Sequence, residues 1–291
     1  MPFSYVEMMR GFGLGDFAAL PSFDSVRPAP VTTDLGSAKL GLFTTVGAHL
    51  PSQRPFQTTN DLTFRLVPLD VPVAELTFDH PSPIRGFAMD DLNVVFPRDR
   101  LVEMAADGVF GELAPAAVSM LGSITKYTEL VEQTAPGVAA VFGDQGVDAV
   151  LMIPFCPACH RATHLLSRAL EARGIPCVTM SALLEMSEAF KPARPVFADF
   201  PLGATVGRPQ DAAMQRSVLE DTLNVLVQPA GPWRVTRLPQ TWAPDRGWED
   251  DVRALYEKEG MDVHRARVAA HTRDGQGLVG REQELDIACA C

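Results

Sequence analysis

A continuous apolar segment in the second half of the chain constrains the fold more than any other feature. Residues 147–155, VDAVLMIPF, show no polar alternation, which is typical of a strand buried on both faces of a parallel sheet. A helical pattern follows at 157–173, with Leu166 and Leu170 on its apolar face and Gly174 at its end. Such a strand needs helices on both sides of its sheet.

Strands and helices go on alternating after this unit. We predict strands at 176–180 and 195–200, and helices from Ser181 and over 211–228. This order predicts an α/β fold with an open, doubly wound, mostly parallel sheet and helices on both faces. Sheets of this kind bind ligands at the carboxyl ends of their strands, and residue 156 lies at one of those ends.

The remaining segments are assigned from their apolar patterns and from glycine and proline. They are an irregular leader at 1–37, strands at 38–46 and 62–70, a helix at 97–107, and a mainly helical stretch at 112–145 that breaks near 135–137. We expect an α/β domain over 1–228, and any division of it into two subdomains would lie near 110–145. We expect an irregular C-terminal extension over 229–291, with a helix at 250–259.

Composition limits the classes of function. The 291 residues are 46% hydrophobic and 21% charged, with a formal net charge of -11, so we expect neither nucleic acid nor an anionic membrane as a partner. The N-terminal residues lack the pattern of a secretory signal, and no apolar run has the length of a membrane span. We therefore expect a cytoplasmic protein.

The sequence Cys156-Pro157-Ala158-Cys159-His160 carries the clearest chemical signal. Two thiols three residues apart in the first turn of a helix can form a disulfide with little backbone movement. The free N–H groups and the positive end of the helix dipole stabilise a thiolate there. Pro157 suits the first helical position. The pattern predicts that Cys156 is the more exposed and more acidic thiol and that Cys159 resolves the disulfide.

The same motif also fits three roles without redox chemistry. Cys-x-x-Cys-His is the attachment pattern of c-type haem, which belongs to exported proteins. A zinc site would use Cys156, Cys159 and His160 and would need further ligands. The third role is that of two inert buried cysteines. His160 is near enough to both thiols to hold a proton, so we include it among the catalytic candidates.

Polar residues near other strand ends are candidates for substrate binding. His49 follows the strand at 38–46, and Asp91 and Asn93 lie in the turn before Pro97. His80 lies in a loop before Pro81, and we favour His49 over it. Helix capping is the alternative role for Asp91 and Asn93.

A second pair of closely spaced cysteines lies far from the first pair in the sequence. Cys289 and Cys291 are separated by one residue, and they are candidates for an electron relay to Cys156 and Cys159 by thiol–disulfide exchange. An incidental tail is the alternative. Cys177 is the remaining cysteine.

Several segments together resemble a known family. VLMIPFCPACHRATHLLSRALEARGIPCVTM is similar to the cysteine/selenocysteine region of the proline reductase selenoprotein subunit, which belongs with the glycine, sarcosine and betaine reductase selenoprotein B family. Supporting segments are LGLFTTVGAHL at 40–50, DDLNVVFPRDRLVEMAADGVFGELA at 90–114 and ADFPLGATVGRPQDAAMQR at 198–216. The resemblance covers roughly residues 38–228.

The resemblance implies reductive cleavage of a carbon–heteroatom bond. In that family a selenolate attacks the substrate carbon and a nearby cysteine resolves the selenenyl sulfide. By position, Cys156 stands for the selenocysteine and Cys159 for the resolving thiol, which implies a slower or differently tuned nucleophile. The amino-acid reductases also use a pyruvoyl group on another subunit, and nothing in this sequence marks a pyruvoyl precursor.

The sequence therefore predicts a thiol-dependent reductase that cleaves a C–N or C–S type bond of a small molecule. No cofactor is expected beyond a dithiol or thioredoxin-like electron donor. The alternatives are a subunit whose partner holds the electrophile, within a hetero- or homo-oligomer, and a zinc-binding protein. A racemase with two acid/base thiols is disfavoured, because its cysteines would face each other from separate strands.

Overall fold

A mostly parallel central sheet with helices around it forms the body of the protein, which confirms the predicted α/β fold. The computed structural model describes residues 2–12, 20–229 and 231–259. The strands are β1 Lys39–Thr44, β2 Ala48–His49, β3 Arg65–Pro68, β4 Thr77–Phe78, β5 Glu112–Leu113, β6 Ala116–Ser119, β7 Ala149–Ile153, β8 Cys177–Ser181, β9 Pro195–Phe197 and β10 Thr236–Arg237.

The helices are named in the same order along the chain. They are α1 Tyr5–Gly11, α2 Gly86–Asp90, α3 Arg98–Ala106, α4 Tyr127–Glu129, α5 Ala135–Asp144, α6 Pro157–Ala172, α7 Leu184–Phe190, α8 Ala212–Asn224 and α9 Trp248–Glu259. A π-helical turn, Leu130–Thr134, joins α4 to α5. Short 3-10 turns occupy Leu35–Ser37, Val73–Glu75, Pro83–Arg85, Leu92–Val94 and Val225–Val227. No helix in the described part of the chain is long and apolar enough to cross a membrane.

The strand order brings several carboxyl ends to one edge of the sheet. The eight-stranded sheet runs β10-β9-β8-β7-β1-β6-β3, and β5 pairs with β1. β3 is antiparallel to β6, whereas the other neighbours are parallel. A separate antiparallel pair, β2 with β4, follows the carboxyl end of β1. This edge is where side chains from distant parts of the sequence can meet.

The unit from β7 to α6 follows the predicted pattern closely. Every residue of β7 is buried, as its unbroken apolar sequence requires. Cys156 is the N-cap of α6, and Pro157 occupies the first turn. Gly174, just past the end of α6, has a φ of +80°, a left-handed conformation that glycine adopts without steric cost. The local sequence thus determines where this helix begins and ends.

Two of the predicted segments differ from the structure. The start of the stretch at 112–145 forms β5 and β6 instead of helix, and only its later part is helical. β6 lies between β1 and β3, and this tertiary pairing outweighs the weak preference of an alanine-rich segment. The leader contains α1, because the Ser4 hydroxyl caps it and both Tyr5 and Met8 are buried beneath it.

Both ends of the described chain pack over the carboxyl edge of the sheet. Phe3 lies 5.7 Å from Trp248, and Tyr5 lies 6.1 Å from Tyr256, between ring centroids. Trp248, Val252 and Tyr256 belong to the same hydrophobic cluster as the sheet. The helix of the predicted C-terminal extension therefore covers the α/β core, next to α1.

A buried carboxylate fastens the leader to the far end of α6. Glu171 accepts hydrogen bonds from the backbone N–H groups of Ala29 and Cys177 and from the Arg194 guanidinium. Arg194 also donates to the Ala29 carbonyl oxygen. Burial raises the pKa of Glu171 to about 7, although Arg194 opposes the shift. The proton on this group is therefore held more tightly in the folded chain than in the unfolded chain.

We expect this carboxyl group to make stability depend on pH. Between the unfolded pKa near 4.5 and the folded pKa near 7, the folded state keeps a proton that the unfolded state has lost, so stability falls as pH rises. Relative to Glu171→Gln, the wild type should lose about 3 kcal/mol across that window and show no further change above it. Urea denaturation of both proteins from pH 5 to about 8 measures the difference. A constant difference would contradict the assignment.

Candidate active site

The two thiols of the Cys-x-x-Cys motif meet at the start of α6. The Cys156 and Cys159 sulfurs are 3.0 Å apart, and the Cys159 N–H donates to the Cys156 sulfur at 3.4 Å. Both cysteines are free thiols. A disulfide needs its sulfurs about 2.05 Å apart, so a small rotation of the side chains would bring them to bonding distance.

Access to the two sulfurs is unequal. Cys156 is 6% exposed and Cys159 is 0% exposed. Gly122 packs directly on Cys159, because a Cβ at Gly122 would lie 2.7 Å from the Cys159 sulfur. Cys156 is therefore the less buried residue of the pair, and Gly122 covers Cys159.

His80 is the histidine that contacts the thiol pair. Its Nε2 lies 3.2 Å from the Cys159 sulfur, and its Nδ1 accepts the Ser82 backbone N–H at 3.2 Å. Because Nδ1 acts as an acceptor, the ring proton is on Nε2 and points at the sulfur. The ring also packs edge-on against Phe155, with centroids 4.6 Å apart. Sequence reasoning favoured His49 over this residue.

The negative charge of the pair belongs on Cys159. Burial opposes its ionisation, but hydrogen bonds from the Cys156 thiol and from His80 bring the pKa of Cys159 well below its ordinary value. Burial, followed by the hydrogen bond to Cys159 and the charge there, raises the pKa of Cys156 well above its ordinary value. These directions favour Cys159 as the more acidic thiol, and the expectation that Cys156 is the more acidic one, which considered the helix dipole without His80, stays a prediction.

Both ring nitrogens of His160 form hydrogen bonds with backbone groups. Its Nδ1 donates to the Cys156 carbonyl oxygen at 2.8 Å, and its Nε2 accepts the Ala182 N–H at 3.0 Å. Burial lowers the pKa of His160 to about 4, despite the bond to the Cys156 carbonyl. With both ring nitrogens engaged, its geometry favours a structural role that joins α6 to the segment after β8. A catalytic role for His160 stays a prediction.

The candidates for substrate binding form hydrogen-bond networks of their own. His49 is buried and bonds to Asp79 at 2.8 Å and to the Leu50 carbonyl oxygen at 2.7 Å. Asp79 follows strand β4, which pairs with the strand β2 that contains His49. Asp79 also directly precedes His80, the histidine that contacts Cys159. His49 is therefore placed to hold the loop of His80, while a direct contact between His49 and substrate stays a prediction.

Asp91 and Asn93 organise the turn before α3. The Asp91 carboxylate accepts hydrogen bonds from Asn93, Gln210 and Gln215, and Asn93 also bonds to Asp99. Burial opposes ionisation, but these hydrogen bonds hold the pKa of Asp91 below its usual value. The geometry agrees with capping and cross-linking, and substrate binding by this pair stays a prediction. Cys289 and Cys291 lie outside the described residues.

His80, Cys156 and Cys159 could also hold a metal ion. One donor atom from each lies within 4.8 Å of the others, and all three residues are buried. The zinc alternative named His160, whose ring nitrogens bind the backbone instead. Ligation through Nε2 of His80 would require a proton on Nδ1, where the Ser82 N–H already donates. The hydrogen bonding therefore favours a thiol pair with an N–H donor over a metal centre.

We expect Gly122→Ala to disturb the thiol pair. The added Cβ would lie 2.7 Å from the Cys159 sulfur and 2.9 Å from its Cα, so the variant should be destabilised by about 1–3 kcal/mol. Gly143→Ala is the matched control, because nothing lies within 4 Å of its Cβ position in α5. The control should gain up to about 1 kcal/mol. Urea denaturation measures both, and equal stability of the two variants would contradict the close packing.

Comparison with known proteins identifies the family. The profile of the glycine/sarcosine/betaine reductase selenoprotein B family matches residues 15–154, which ends just before Cys156. The D-proline reductase subunit gamma of Acetoanaerobium sticklandii is 30% identical over 210 residues, 72% of this chain and 87% of that protein. The chain belongs to the selenoprotein B family. This finding confirms the resemblance inferred from the sequence.

Other members of the family are longer than this chain. The glycine reductase complex component B subunit gamma of Carboxydothermus hydrogenoformans is 27% identical over 76% of this chain and 53% of its own length. The sarcosine reductase complex component B subunit beta of Peptoclostridium acidaminophilum is 27% identical over 58% of this chain and 39% of its own length. The chain thus spans about half of the glycine reductase relative. No solved structure matches the chain.

Proposed function

We propose that this protein is a thiol-dependent subunit of a reductase complex that cleaves a carbon–heteroatom bond, of the C–N or C–S type, in a small molecule. The observation that carries the proposal is the buried sulfur pair at 3.0 Å, in which Cys156 is 6% exposed and Cys159, fully buried, is bonded to His80. The reductase subunits among the relatives support the same class of reaction.

Cys156 acts as the nucleophile because it is the accessible thiol. The Cys159 thiolate accepts the Cys156 proton through the existing 3.0 Å contact as the attack begins. This transfer makes Cys156 anionic only when an electrophile is present, and His80 stabilises the charge that rests on Cys159 beforehand. Before the attack, the negative charge of the pair therefore rests on the Cys159 sulfur, next to the Cys156 sulfur that attacks.

The reaction balances as a two-electron reduction. Cys156 forms a carbon–sulfur bond with the substrate R–X, and the leaving group X departs with the proton from Cys159. The Cys159 thiolate then attacks the Cys156 sulfur, a disulfide forms, and the carbon fragment leaves with a proton from solvent as R–H. Starting from one thiol and one thiolate, the pair supplies two electrons and one proton, solvent supplies the second proton, and R–X becomes R–H and H–X. A dithiol or thioredoxin-like donor then reduces the disulfide by exchange.

A partner subunit would activate the substrate. Expulsion of a carbon fragment from sulfur needs a substrate that stabilises negative charge on carbon, and the relatives are subunits or components of complexes by name. We therefore propose that another chain supplies the electrophilic group. An alternative function is binding of zinc by His80, Cys156 and Cys159, which the close spacing of the three donors allows and the Ser82 hydrogen bond disfavours.

Mild oxidation of the purified protein tests the redox function. After treatment with oxidised glutathione, intact mass and peptide mapping should show loss of two hydrogens within the peptide that holds Cys156 and Cys159. Cys156→Ser and Cys159→Ser should each abolish this loss, whereas Cys177→Ser, a change at another buried thiol, should retain it. Thiols that stay reduced in the wild type would overturn the proposal. Stoichiometric zinc in the same mass spectrum would support the alternative.

A further inference from the structure

A cavity of about 600 Å³ lies at the edge of the sheet opposite the thiol pair. It is lined by Arg194, which directly precedes β9, and by Trp233, which lies just before β10. The cavity is therefore at the amino ends of strands whose carboxyl edge holds Cys156. Roughly 22 Å of α6 separates Cys156 from Glu171, the residue that contacts Arg194. The volume is typical of sites for small molecules.

The lining of this cavity has a charge opposite to that of the chain. Asp and Glu outnumber Lys and Arg by 36 to 25 in the sequence. Among the described residues that line the cavity, by contrast, there are three arginines, Arg27, Arg194 and Arg234, and no Asp or Glu. A local excess of positive charge in a concave surface attracts small anions to it.

Two of these arginines have guanidinium groups available to a ligand. Within the part of the chain that the structure describes, no hydrogen bond or ion pair engages the guanidinium of Arg27 or Arg234, and both residues are exposed. Arg194 is held in place, because it donates to the Glu171 carboxylate at 2.7 Å and to the Ala29 carbonyl oxygen at 2.6 Å. Two uncompensated positive charges match a phosphate monoester, which carries about 1.5–2 negative charges at pH 7.

Trp233 gives the same cavity a flat aromatic wall. Its indole N–H donates to the Pro192 carbonyl oxygen at 2.8 Å, which fixes the orientation of the half-buried ring. An indole face stacks on the planar base of a nucleotide, whichever base it is. The cavity is also much larger than a phosphate ion, so a ligand with both a phosphate and a ring uses more of its surface than a bare anion does.

We propose that this cavity binds a nucleoside phosphate, with the phosphate on Arg27 and Arg234 and the base stacked on Trp233. The site lies far from the thiol pair, so the inference goes beyond the proposed function and does not depend on it. The walls come from the leader, from the residues before β9 and from the segment just before β10. A bound nucleotide would join these distant segments and stabilise the folded chain.

Calorimetric titration with adenosine monophosphate tests the site. Adenosine and ribose 5-phosphate are two parts of this probe, and each should bind at least about tenfold more weakly, because one lacks the phosphate and the other lacks the base. High salt should weaken the binding of adenosine monophosphate and leave that of adenosine unchanged, since salt screens exposed charges. Stacking on Trp233 should also quench part of the tryptophan fluorescence.

Substitutions in the lining assign the contacts. Arg27→Gln and Arg234→Gln should each weaken the binding of adenosine monophosphate about tenfold, because each removes a charge-assisted contact with the phosphate. Arg54→Gln is the matched control, since Arg54 is an exposed arginine between β2 and β3 whose guanidinium also lacks a partner among the described residues; its affinity should equal that of the wild type. Trp233→Leu should weaken binding about tenfold. Trp233→Phe should retain most of the affinity and abolish the quenching.

Four results would overturn the inference. They are a failure of adenosine monophosphate to bind, equal affinity for ribose 5-phosphate, equal affinity for adenosine, and unchanged affinity in both arginine variants. A hexaglutamate peptide that binds more tightly than the nucleotide, and that the same substitutions weaken, would assign the cavity to an acidic protein segment instead. None of these results bears on the disulfide of Cys156 and Cys159, so the proposed function stands or fails separately.

Discussion

In the Cys159→Ser variant, we expect a thiol-reactive reagent to leave a mixed disulfide on Cys156. In the wild type, Cys159 should resolve this mixed disulfide during the same reaction. With methyl methanethiosulfonate, the Cys156 thiolate takes the methylthio group and methanesulfinate leaves. In the wild type, Cys159 then attacks Cys156, methanethiol departs, and an internal disulfide remains. The 3.0 Å separation of the sulfurs makes the second step intramolecular. We expect its loss in Cys159→Ser to slow resolution by at least about a thousandfold.

The matched variants separate the roles of the two sulfurs. Cys156→Ser should acquire no methylthio group in the peptide that contains Cys159, since that sulfur is fully buried. Cys177→Ser should behave as the wild type does. Time-resolved intact mass and peptide mapping follow every species without knowledge of the natural substrate. An adduct on Cys159, or prompt resolution in Cys159→Ser, would contradict the assigned order of attack.

Local sequence was sufficient to predict the part of the site that lies within one strand and one helix. The apolar run of β7 requires burial on both faces, Pro157 starts α6, and Gly174 ends it. The position of Cys156 as the N-cap follows from these neighbours alone. The family resemblance could also be inferred from local sequence, because each of the segments that carry it is continuous. Comparison with known proteins confirmed it.

The contacts of the site across the fold could not be predicted in this way. His80 reaches Cys159 because the β2–β4 pair directs its loop over the start of α6, and no local pattern specifies that pairing. Tyr5 in α1 and Tyr256 in α9 belong to no motif, and their rings come into contact only in the tertiary structure. Without His80, the helix dipole alone favoured Cys156 as the more acidic thiol, whereas the hydrogen bond from His80 favours Cys159.

The misassigned segment at 112–119 has a related cause. Short runs of alanine and valine have the same pattern in a buried strand and in a buried helix. The segment of β6 forms a strand because it pairs with β1 on one side and with β3 on the other. The strands that pair with β6 are distant from it in the sequence, so its own residues do not identify it as a strand. A long loop must close before the pairing forms.

His80→Ala should move the pH dependence of the thiol pair upward. The His80 N–H lowers the pKa of Cys159, so its removal makes the thiolate form at higher pH. A hydrogen bond to a charged group contributes about 1.5–3 kcal/mol, which corresponds to a rise of about one to two pH units. Below the shifted midpoint, the alkylation rate of Cys156 should be lower in His80→Ala than in the wild type, because Cys159, the proton acceptor next to it, is then protonated in a larger fraction of the molecules.

A pH profile distinguishes this effect from a change in packing. The profile of the iodoacetamide rate should keep its upper plateau and shift its midpoint upward in His80→Ala. His80→Gln, which retains an N–H donor near the sulfur, should lie between the alanine variant and the wild type. If the histidine only fills space, both variants would lower the plateau and leave the midpoint unchanged. A midpoint unmoved in His80→Ala would therefore show that another group holds the charge on Cys159.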